Sequence, residues 1–138
     1  FAGTGGLGLE ALSRGADSCT FIDKATTEII ADNAKHTRLA DKCQILKGDV
    51  FAQLRRLETA GQQFDLVFCD PPYHQGLAHR ALEQLENSQL LAPDAIVIME
   101  YGGDEPELPA TTSLQLVKKQ QYGKTTQINF YHLPVEEG

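Results

Sequence analysis

The feature that most constrains the fold of this chain is a short apolar run that two consecutive prolines bring to a stop. The run covers residues 64–69 and is followed directly by Asp70-Pro71-Pro72-Tyr73. Proline lacks a backbone N–H and disfavours helix in the residue before it, so neither a strand nor a helix continues through these four residues. The pattern predicts a buried parallel strand that ends abruptly. In open α/β sheets, ligands bind just beyond the carboxyl ends of such strands.

The four residues 70–73, here called the tetrad, are suited to hold the amino group of a base. The Asp70 carboxylate and the Pro71 carbonyl are acceptors, and the prolines add no N–H donor. Two acceptors fit an exocyclic amino group, whose nitrogen lone pair then stays free to attack an electrophile. Pro72 favours an extended backbone, and Tyr73 offers a face for base stacking, typically worth about 1–3 kcal/mol. The alternative is an ordinary strand-to-helix turn in which Asp70 caps the helix.

Composition bounds the class of protein. A chain of 138 residues is long enough for one domain with its own core. Its net charge of −7 counts against a broad nucleic-acid-binding surface but does not exclude a nucleic-acid substrate. We expect no membrane segment and no metal, because no apolar stretch is long enough and the histidines lack ligand spacing. Three scattered cysteines favour reduced thiols and a cytoplasmic location. No exposed apolar stripe stands out, so we expect a monomer.

The start of the chain bears on domain organisation. The sequence begins at Phe1, and Phe1-Ala2 has the pattern of the last part of a strand. A parallel sheet without the rest of that strand would be left with a hydrophobic slot. We therefore expect a single domain over residues 1–138 that is truncated at its N-terminus.

A glycine-rich stretch and an acid predict a nucleoside-containing cofactor. Gly3, Gly5 and Gly8 fit the pattern G-x-G-x-x-G ahead of a helical stretch, which lets the backbone approach a ligand at the helix N-terminus. Asp23 follows a predicted strand at 18–22 and lies 23 − 3 = 20 residues after Gly3. An acid at that spacing accepts hydrogen bonds from ribose hydroxyls.

Asp49 follows another short predicted strand, at 44–47. It either accepts a hydrogen bond from an adenine amino group of the cofactor or caps a helix predicted over 50–57. With Asp23 and the tetrad, three successive predicted strands each end in a candidate ligand group. After the tetrad, His74 and Arg80 could contact a phosphate or be plain surface residues.

The remaining segments complete an alternating α/β pattern. Helices are predicted over 25–39 and 78–86. A turn at 91–94 leads into a buried strand at 95–100. The end of the chain predicts an antiparallel strand pair, at 114–117 and 127–131, around Tyr122-Gly123-Lys124.

With these residues placed, the chain resembles S-adenosylmethionine-dependent methyltransferases of the seven-stranded Rossmann-like class. The tetrad looks like the (N/D/S)-P-P-(Y/F) motif of enzymes that methylate exocyclic amino groups of bases. Residues 1–16, 68–77 and 119–131 are similar to the bacterial small-subunit (16S) ribosomal RNA guanine-N2 methyltransferase family of RsmD type. The resemblance implies an α/β fold with a mostly parallel central sheet, helices on both faces and an antiparallel C-terminal strand pair. The first strand of that sheet would be largely missing here.

The resemblance also implies a role for individual residues. It places the methionine part of S-adenosyl-L-methionine against the start of the chain, at Phe1, Ala2, Gly3, Thr4 and Gly5. It assigns the ribose to Asp23 and the adenine to Asp49 with Val50. It assigns the binding of the target guanine to Asp70, Pro71 and Tyr73. The implied catalytic group is Asp70, Pro71, Pro72 and Tyr73, with Asp70 also counted among the cofactor-binding residues.

The partner that the resemblance implies is ribosomal RNA, free or in an assembling small ribosomal subunit. The family carries an upstream basic segment, expected to contact RNA, that this sequence does not include. Three alternatives stay open. A DNA adenine-N6 or cytosine-N4 methyltransferase would use the same tetrad. A nicotinamide-dependent dehydrogenase would use the same glycines and acid but would need a second nucleotide-binding half. A non-catalytic module would bind S-adenosylmethionine or RNA and modify neither.

Overall fold

The computed structural model describes residues 1–135 of the chain. In this range the chain forms four α-helices, one short 3₁₀ helix and six β-strands. They belong to two compact units, a first unit from Phe1 to Arg55 and a second unit that starts at Arg56. The prediction of one domain over residues 1–138, truncated at its N-terminus, stays a prediction.

The first unit is a parallel strand pair covered by helices. Its elements are α1 (Gly6–Ser13), β1 (Cys19–Asp23), α2 (Thr27–His36), a 3₁₀ turn (Ala40–Lys42), β2 (Cys43–Lys47) and the start of α3 (Val50–Thr59). Apolar residues three or four apart put one face of each helix into a shared core, which contains Leu9 and Leu12 of α1, Ile30 and Ala34 of α2, and Phe21 of β1. This packing holds the loop before α1 beside the end of β1.

The second unit is a four-stranded mixed sheet. Its elements are β3 (Phe64–Cys69), α4 (Leu77–Glu86), β4 (Leu91–Gly102), β5 (Gln115–Tyr122) and β6 (Thr126–His132). The strand order is β3-β4-β6-β5. Strands β3 and β4 are parallel, whereas β6 is antiparallel to both of its neighbours. The predicted C-terminal antiparallel pair is thus confirmed, with a longer first strand than the sequence pattern indicated.

Helix α4 is the crossover that makes the β3–β4 pairing possible, because parallel neighbours cannot be joined by a tight turn. Its buried residues recur at helical spacing: Ala78, Ala81, Leu82 and Leu85. Every second residue of β4 is buried in turn, namely Ala95, Val97, Met99 and Tyr101. The alternation sends the residues between them, Glu100 among these, to the opposite face of β4.

The turn predicted at 91–94 is wrong, because these residues belong to β4. Leu91 pairs with Phe64, and the register then skips so that Leu66 pairs with Ile96. Between these two pairs β4 contains more residues than β3. One of the additional residues, Asp94, has a φ of 65°, in the left-handed region. A proline followed by an acid indicates a turn in the sequence, but here the pair forms an irregularity inside a strand.

No helix in residues 1–135 combines the length and the apolar character needed to cross a membrane. The same residues contain no group of three or more His, Cys, Asp or Glu side chains that could hold a metal ion. The cysteines are free thiols, and burial raises the pKa of Cys69 to about 12, so this thiol is a poor nucleophile at neutral pH.

Candidate active site

The glycine loop lies in the first unit, and its three motif glycines are needed for three different reasons. Gly3 has a φ of 59°, and a Cβ built on it would meet no atom within 4 Å. Gly5, with a φ of 84°, is the N-cap residue that precedes α1. A Cβ on Gly8 would lie 2.3 Å from Cε1 of Phe21 and 2.7 Å from Sγ of Cys19. The loop is therefore open at Gly3, where a ligand could approach the backbone, and tightly packed at Gly8.

Two other residues assigned to this loop, Ala2 and Thr4, are held through their own backbone groups. Ala2 donates its N–H to the carbonyl of Ile22 at 3.0 Å, as a strand neighbour of β1 would, although residues 1 and 2 are not part of a strand. The Thr4 carbonyl accepts a hydrogen bond from Nδ2 of Asn33 at 2.9 Å. The loop is thus tied to β1 on one side and to α2 on the other.

Asp23 closes the loop against the end of β1. Its Oδ2 accepts the N–H of Gly3 at 3.0 Å, and its Oδ1 accepts those of Ala25 and Thr26 at 2.9 and 3.2 Å. Desolvation alone would raise the pKa of this carboxyl, but the hydrogen bonds from Ala25, Gly3 and Thr26 outweigh it and lower the pKa to about 2. Asp23 is therefore ionised at neutral pH. Each oxygen has more than one acceptor site, so contact with ribose hydroxyls stays an open prediction.

Asp49 caps a helix, as one of the two interpretations of the sequence expects. Its Oδ2 accepts the N–H of Ala52 at 2.9 Å, in the first turn of α3. Val50 is the first residue of that helix. The ring of Phe51 lies edge-on to that of Phe1, with centroids 6.1 Å apart, which brings the start of α3 next to the start of the chain. An adenine contact at Asp49 and Val50 stays a prediction.

The tetrad lies in the second unit and follows β3 directly, as predicted. Pro71 is buried, Tyr73 is half-buried, and Asp70 and Pro72 are exposed. The next helix begins only at Leu77, so the alternative in which Asp70 caps it is wrong. The Asp70 carboxylate is not committed to a helix end and stays available to a ligand.

Glu100 of β4, which is not among the residues predicted for the site, lies beside Asp70. In the parallel register Cys69 pairs with Met99, so Asp70 and Glu100 follow at the same end of the two strands. Their carboxyl groups share a hydrogen bond. Asp70 is exposed as a residue, but partial desolvation of its carboxyl, that hydrogen bond and the charge of Glu100 raise its pKa to about 7.

The hydroxyl of Tyr73 is held at two points. It donates to Oε2 of Glu100 at 3.0 Å and lies 3.2 Å from Oγ1 of Thr126 in β6. The hydrogen bond with Thr126 lowers the pKa of Tyr73, but desolvation and the carboxylates of Glu100 and Asp70 outweigh it and raise the pKa. An acid at the end of the apolar run 95–99 is the sequence signal that could have identified Glu100. No comparable signal points to Thr126.

The segment after the tetrad is held by acidic side chains, which would repel a phosphate. His74 has a φ of 65°, and its N–H donates to Oε1 of Glu105 at 2.9 Å. Its Nε2 lies 3.3 Å from Oδ1 of Asp104. A cavity of about 350 Å³ adjoins these residues and is also lined by Tyr101 and Glu107. Two carboxylates beside His74, and a third that lines the same cavity, disfavour the interpretation in which His74 contacts a phosphate.

The chain was compared with known proteins. The family model described as Conserved hypothetical protein 95 matches residues 1–132. The ribosomal RNA small subunit methyltransferase D of Haemophilus influenzae is 37% identical over 137 residues, which are 96% of this chain and 67% of that protein. The protein of the same name from Escherichia coli K12 is 34% identical over 86% of this chain, which spans 60% of its length.

A solved structure of a similar protein has the same fold as this chain. The crystal structure of a Haemophilus influenzae protein, described as a proposed methylase, superimposes with a TM-score of 0.86 at 30% identity. The match covers 98% of this chain and 77% of the other. This likeness confirms the Rossmann-like α/β fold class that the sequence predicts.

Proposed function

Since this chain belongs to the family described as Conserved hypothetical protein 95, which includes RsmD-type methyltransferases, we propose that it methylates the exocyclic N2 amino group of a guanine in 16S ribosomal RNA. The relatives are named for methylation of small-subunit ribosomal RNA. The choice of guanine N2 is the finer part of the proposal and comes from the resemblance and from the chemistry of the tetrad. S-adenosyl-L-methionine is the cofactor.

The observation that carries the proposal is the arrangement at the end of β3. Asp70 belongs to no helix and caps none, so its carboxylate is available as an acceptor. Pro71 offers its backbone carbonyl as a second acceptor and has no N–H donor. Tyr73 is fixed through its hydroxyl, which leaves the ring as a platform of defined orientation. Acceptors for two N–H groups next to an aromatic face are what an unstacked base with an amino group requires.

The first unit supports the cofactor part of the proposal. Gly3 leaves space in front of the backbone, and Asp23 is an ionised acceptor hydrogen-bonded to that same residue. We assign the methionine part of the cofactor to residues 1–5, its ribose to Asp23, and its adenine to Asp49 with Val50. When bound, S-adenosyl-L-methionine supplies a methyl group activated by the positive charge on its sulfur.

The protein's contribution is alignment and electrostatics. The Asp70 carboxylate and the Pro71 carbonyl would accept the two N–H groups of the guanine amino group and direct its lone pair away from them. Alignment of this kind can supply roughly 7–11 kcal/mol when the geometry is near attack. The same acceptors stabilise the positive charge that develops on the nitrogen. The pKa of Asp70, raised to about 7, makes it a stronger proton acceptor than an ordinary carboxylate.

The substrate would enter with its guanine out of the stack, because the amino group of a stacked base is not accessible to the tetrad. The acidic balance of the chain argues against binding through a broad basic surface. We therefore assign recognition to the shape of a particular RNA site or of an assembling small subunit. A cytoplasmic location follows from that substrate.

The test offers the protein labelled S-adenosylmethionine with three substrates: unmodified small ribosomal subunits, naked 16S rRNA and duplex DNA. Mass spectrometry of the nucleosides then identifies the product. We expect N2-methylguanosine in ribosomal RNA. Methylated adenine or cytosine in DNA would instead identify a DNA amino-methyltransferase. Cofactor binding without methylation of any substrate would contradict the proposal and favour a binding module.

A further inference from the structure

We infer that Glu100, which lies outside the tetrad, is a positioning residue that holds Asp70 and Tyr73 in the arrangement that receives the amino group. This inference rests on the proposed function for the identity of that group. Glu100 is half-buried and belongs to β4, the neighbour of the strand that leads into the tetrad. It reaches both ends of the tetrad, through a hydrogen bond with Asp70 and another with the hydroxyl of Tyr73 at 3.0 Å.

A carboxylate at this position can serve both neighbours. It has only acceptor sites, so it can bind the Tyr73 hydroxyl and a protonated Asp70 at the same time. Glutamine has the same shape but would direct an NH₂ group at one of these neighbours. Thr126 supports the arrangement from β6, because its hydroxyl contacts the same Tyr73 oxygen at 3.2 Å.

Stability does not explain the pair of carboxyls. Two carboxylates side by side in a partly desolvated place repel each other unless they share a proton, and the pKa of Asp70, raised to about 7, lets this residue hold that proton in part of the molecules near neutral pH. An amide or an apolar residue in place of Glu100 would remove that repulsion. Groups placed so that they shift each other's titration are concentrated at functional sites, and this pair lies at the end of the sheet where the tetrad begins.

The arrangement has a consequence for the proton released in the reaction. When the amino nitrogen has gained a methyl group, one N–H bond breaks, its electron pair returns to nitrogen, and the proton passes to an oxygen of Asp70. Glu100 then stabilises the protonated Asp70 through their shared hydrogen bond. Glu100 itself does not touch the base, so it acts through Asp70 and Tyr73.

The first experiment compares Glu100→Gln with Glu83→Gln, which changes an exposed glutamate of α4 whose partner is His79. We expect Glu100→Gln to lower kcat by about tenfold to a hundredfold, because the amino group loses its alignment. KM for S-adenosylmethionine and for 16S rRNA should stay unchanged, and the acid limb of the kcat profile should move to lower pH. Glu83→Gln should match the parent protein. An unchanged kcat, or an acid limb that does not move, would overturn the inference.

A second variant separates positioning from folding. Tyr73→Phe keeps the ring and removes the hydroxyl bond, and the double variant with Glu100→Gln should be no slower than Glu100→Gln alone. If the two substitutions lower kcat independently of each other, so that the double variant is slower than either single variant, Glu100 does not act through Tyr73. If Glu100→Gln fails to fold, a reduced kcat of Tyr73→Phe with unchanged KM supports positioning, and an unaffected Tyr73→Phe contradicts it.

A third measurement does not depend on activity, so it distinguishes this inference from the proposed function. The carboxyl carbon of Asp70 is titrated by NMR in the parent protein and in Glu100→Gln, without substrate. A midpoint that falls in the variant supports the Asp70–Glu100 pair even if no guanine is methylated. An identical midpoint in both proteins would overturn the pair, whatever the activity assay gives.

Discussion

The glycine loop of the first unit and the tetrad of the second unit are held in place by different kinds of interaction. In the loop, the restraints act on the backbone of the loop itself: Gly3 and Gly5 have left-handed φ angles, and side chains of Asp23 and Asn33 bind the Gly3 N–H and the Thr4 carbonyl. In the tetrad, the restraints are side-chain hydrogen bonds that Tyr73 makes with residues 27 and 53 positions away. The loop is therefore restrained through its own backbone, in angles that glycine permits, whereas the tetrad is restrained through the side chain of Tyr73.

This difference predicts how each region responds to substitution. A loop restrained through its backbone should be sensitive to side-chain volume added at its glycines. A site held by distant side chains should lose activity when those are altered, even where its own four residues are intact. The following predictions test this contrast, beginning with the largest effect.

The largest effect is expected at Asp70. Asp70→Ala removes the main acceptor for the amino group, so kcat should fall about a hundredfold to a thousandfold. Affinity for S-adenosylmethionine, measured by calorimetry, should fall only a little, because the other residues assigned to the cofactor lie in the first unit and are intact. The control is Asp65→Ala, which removes an exposed carboxylate from β3. If Asp70→Ala abolished cofactor binding as well, the assignment of Asp70 to the amino group would be wrong.

Tyr73 tests the stacking platform. Tyr73→Ala should weaken RNA binding by about 1–3 kcal/mol, a rise in KM of about fivefold to a hundredfold. Tyr73→Phe keeps the ring, so its KM for RNA should stay close to that of the parent. Steady-state kinetics with 16S rRNA measure both variants. Equal KM values for the alanine and phenylalanine variants would contradict a role for the ring.

Substitution of Gly8 tests whether the stability of the protein depends on the close packing at this glycine. A Cβ at this position would lie 2.3 Å from the Phe21 ring, so Gly8→Ala should lower the free energy of unfolding by about 1–3 kcal/mol. Gly6 is the matched control in the same helix, because its Cβ would meet nothing closer than 3.9 Å. Gly6→Ala should be neutral or stabilise by about 0.5–1 kcal/mol. Urea unfolding measures both, and equal stabilities would show that α1 does not need the close approach at Gly8.

The smallest effect concerns acid stability. The pKa of Asp23 is lowered from its ordinary value to about 2 on folding. Its ionised form therefore stabilises the fold above about pH 4, and this contribution is lost as the pH falls towards 2. Asp23→Asn should make the free energy of unfolding less dependent on pH over that interval, by an amount that partial exposure keeps small. Exposed Asp17→Asn is the control, and an equal pH dependence in both variants would count against the Asp23 hydrogen bonds.

The sequence alone determined the features that depend on the local backbone. The double proline ends β3 where predicted, because no strand or helix continues through it. The glycine pattern and the acid after β1 identify a loop in which Gly3 and Asp23 are hydrogen-bonded. The antiparallel hairpin at the end of the chain follows from β-forming runs on either side of a glycine turn. The cofactor and base contacts of these residues stay predictions.

Only the tertiary structure decided which side chains from other strands surround the tetrad. The pairing of Cys69 with Met99 places Glu100 next to Asp70, and the β4–β6 pairing brings Thr126 within reach of Tyr73. Neither register can be deduced from the sequence, because both depend on how the crossover helix packs and on the irregularity near Asp94. The proposed positioning residue was therefore visible in the sequence only as an acid at the end of an apolar run. Its meaning depends on strand pairing, which brings together residues that are far apart in the chain.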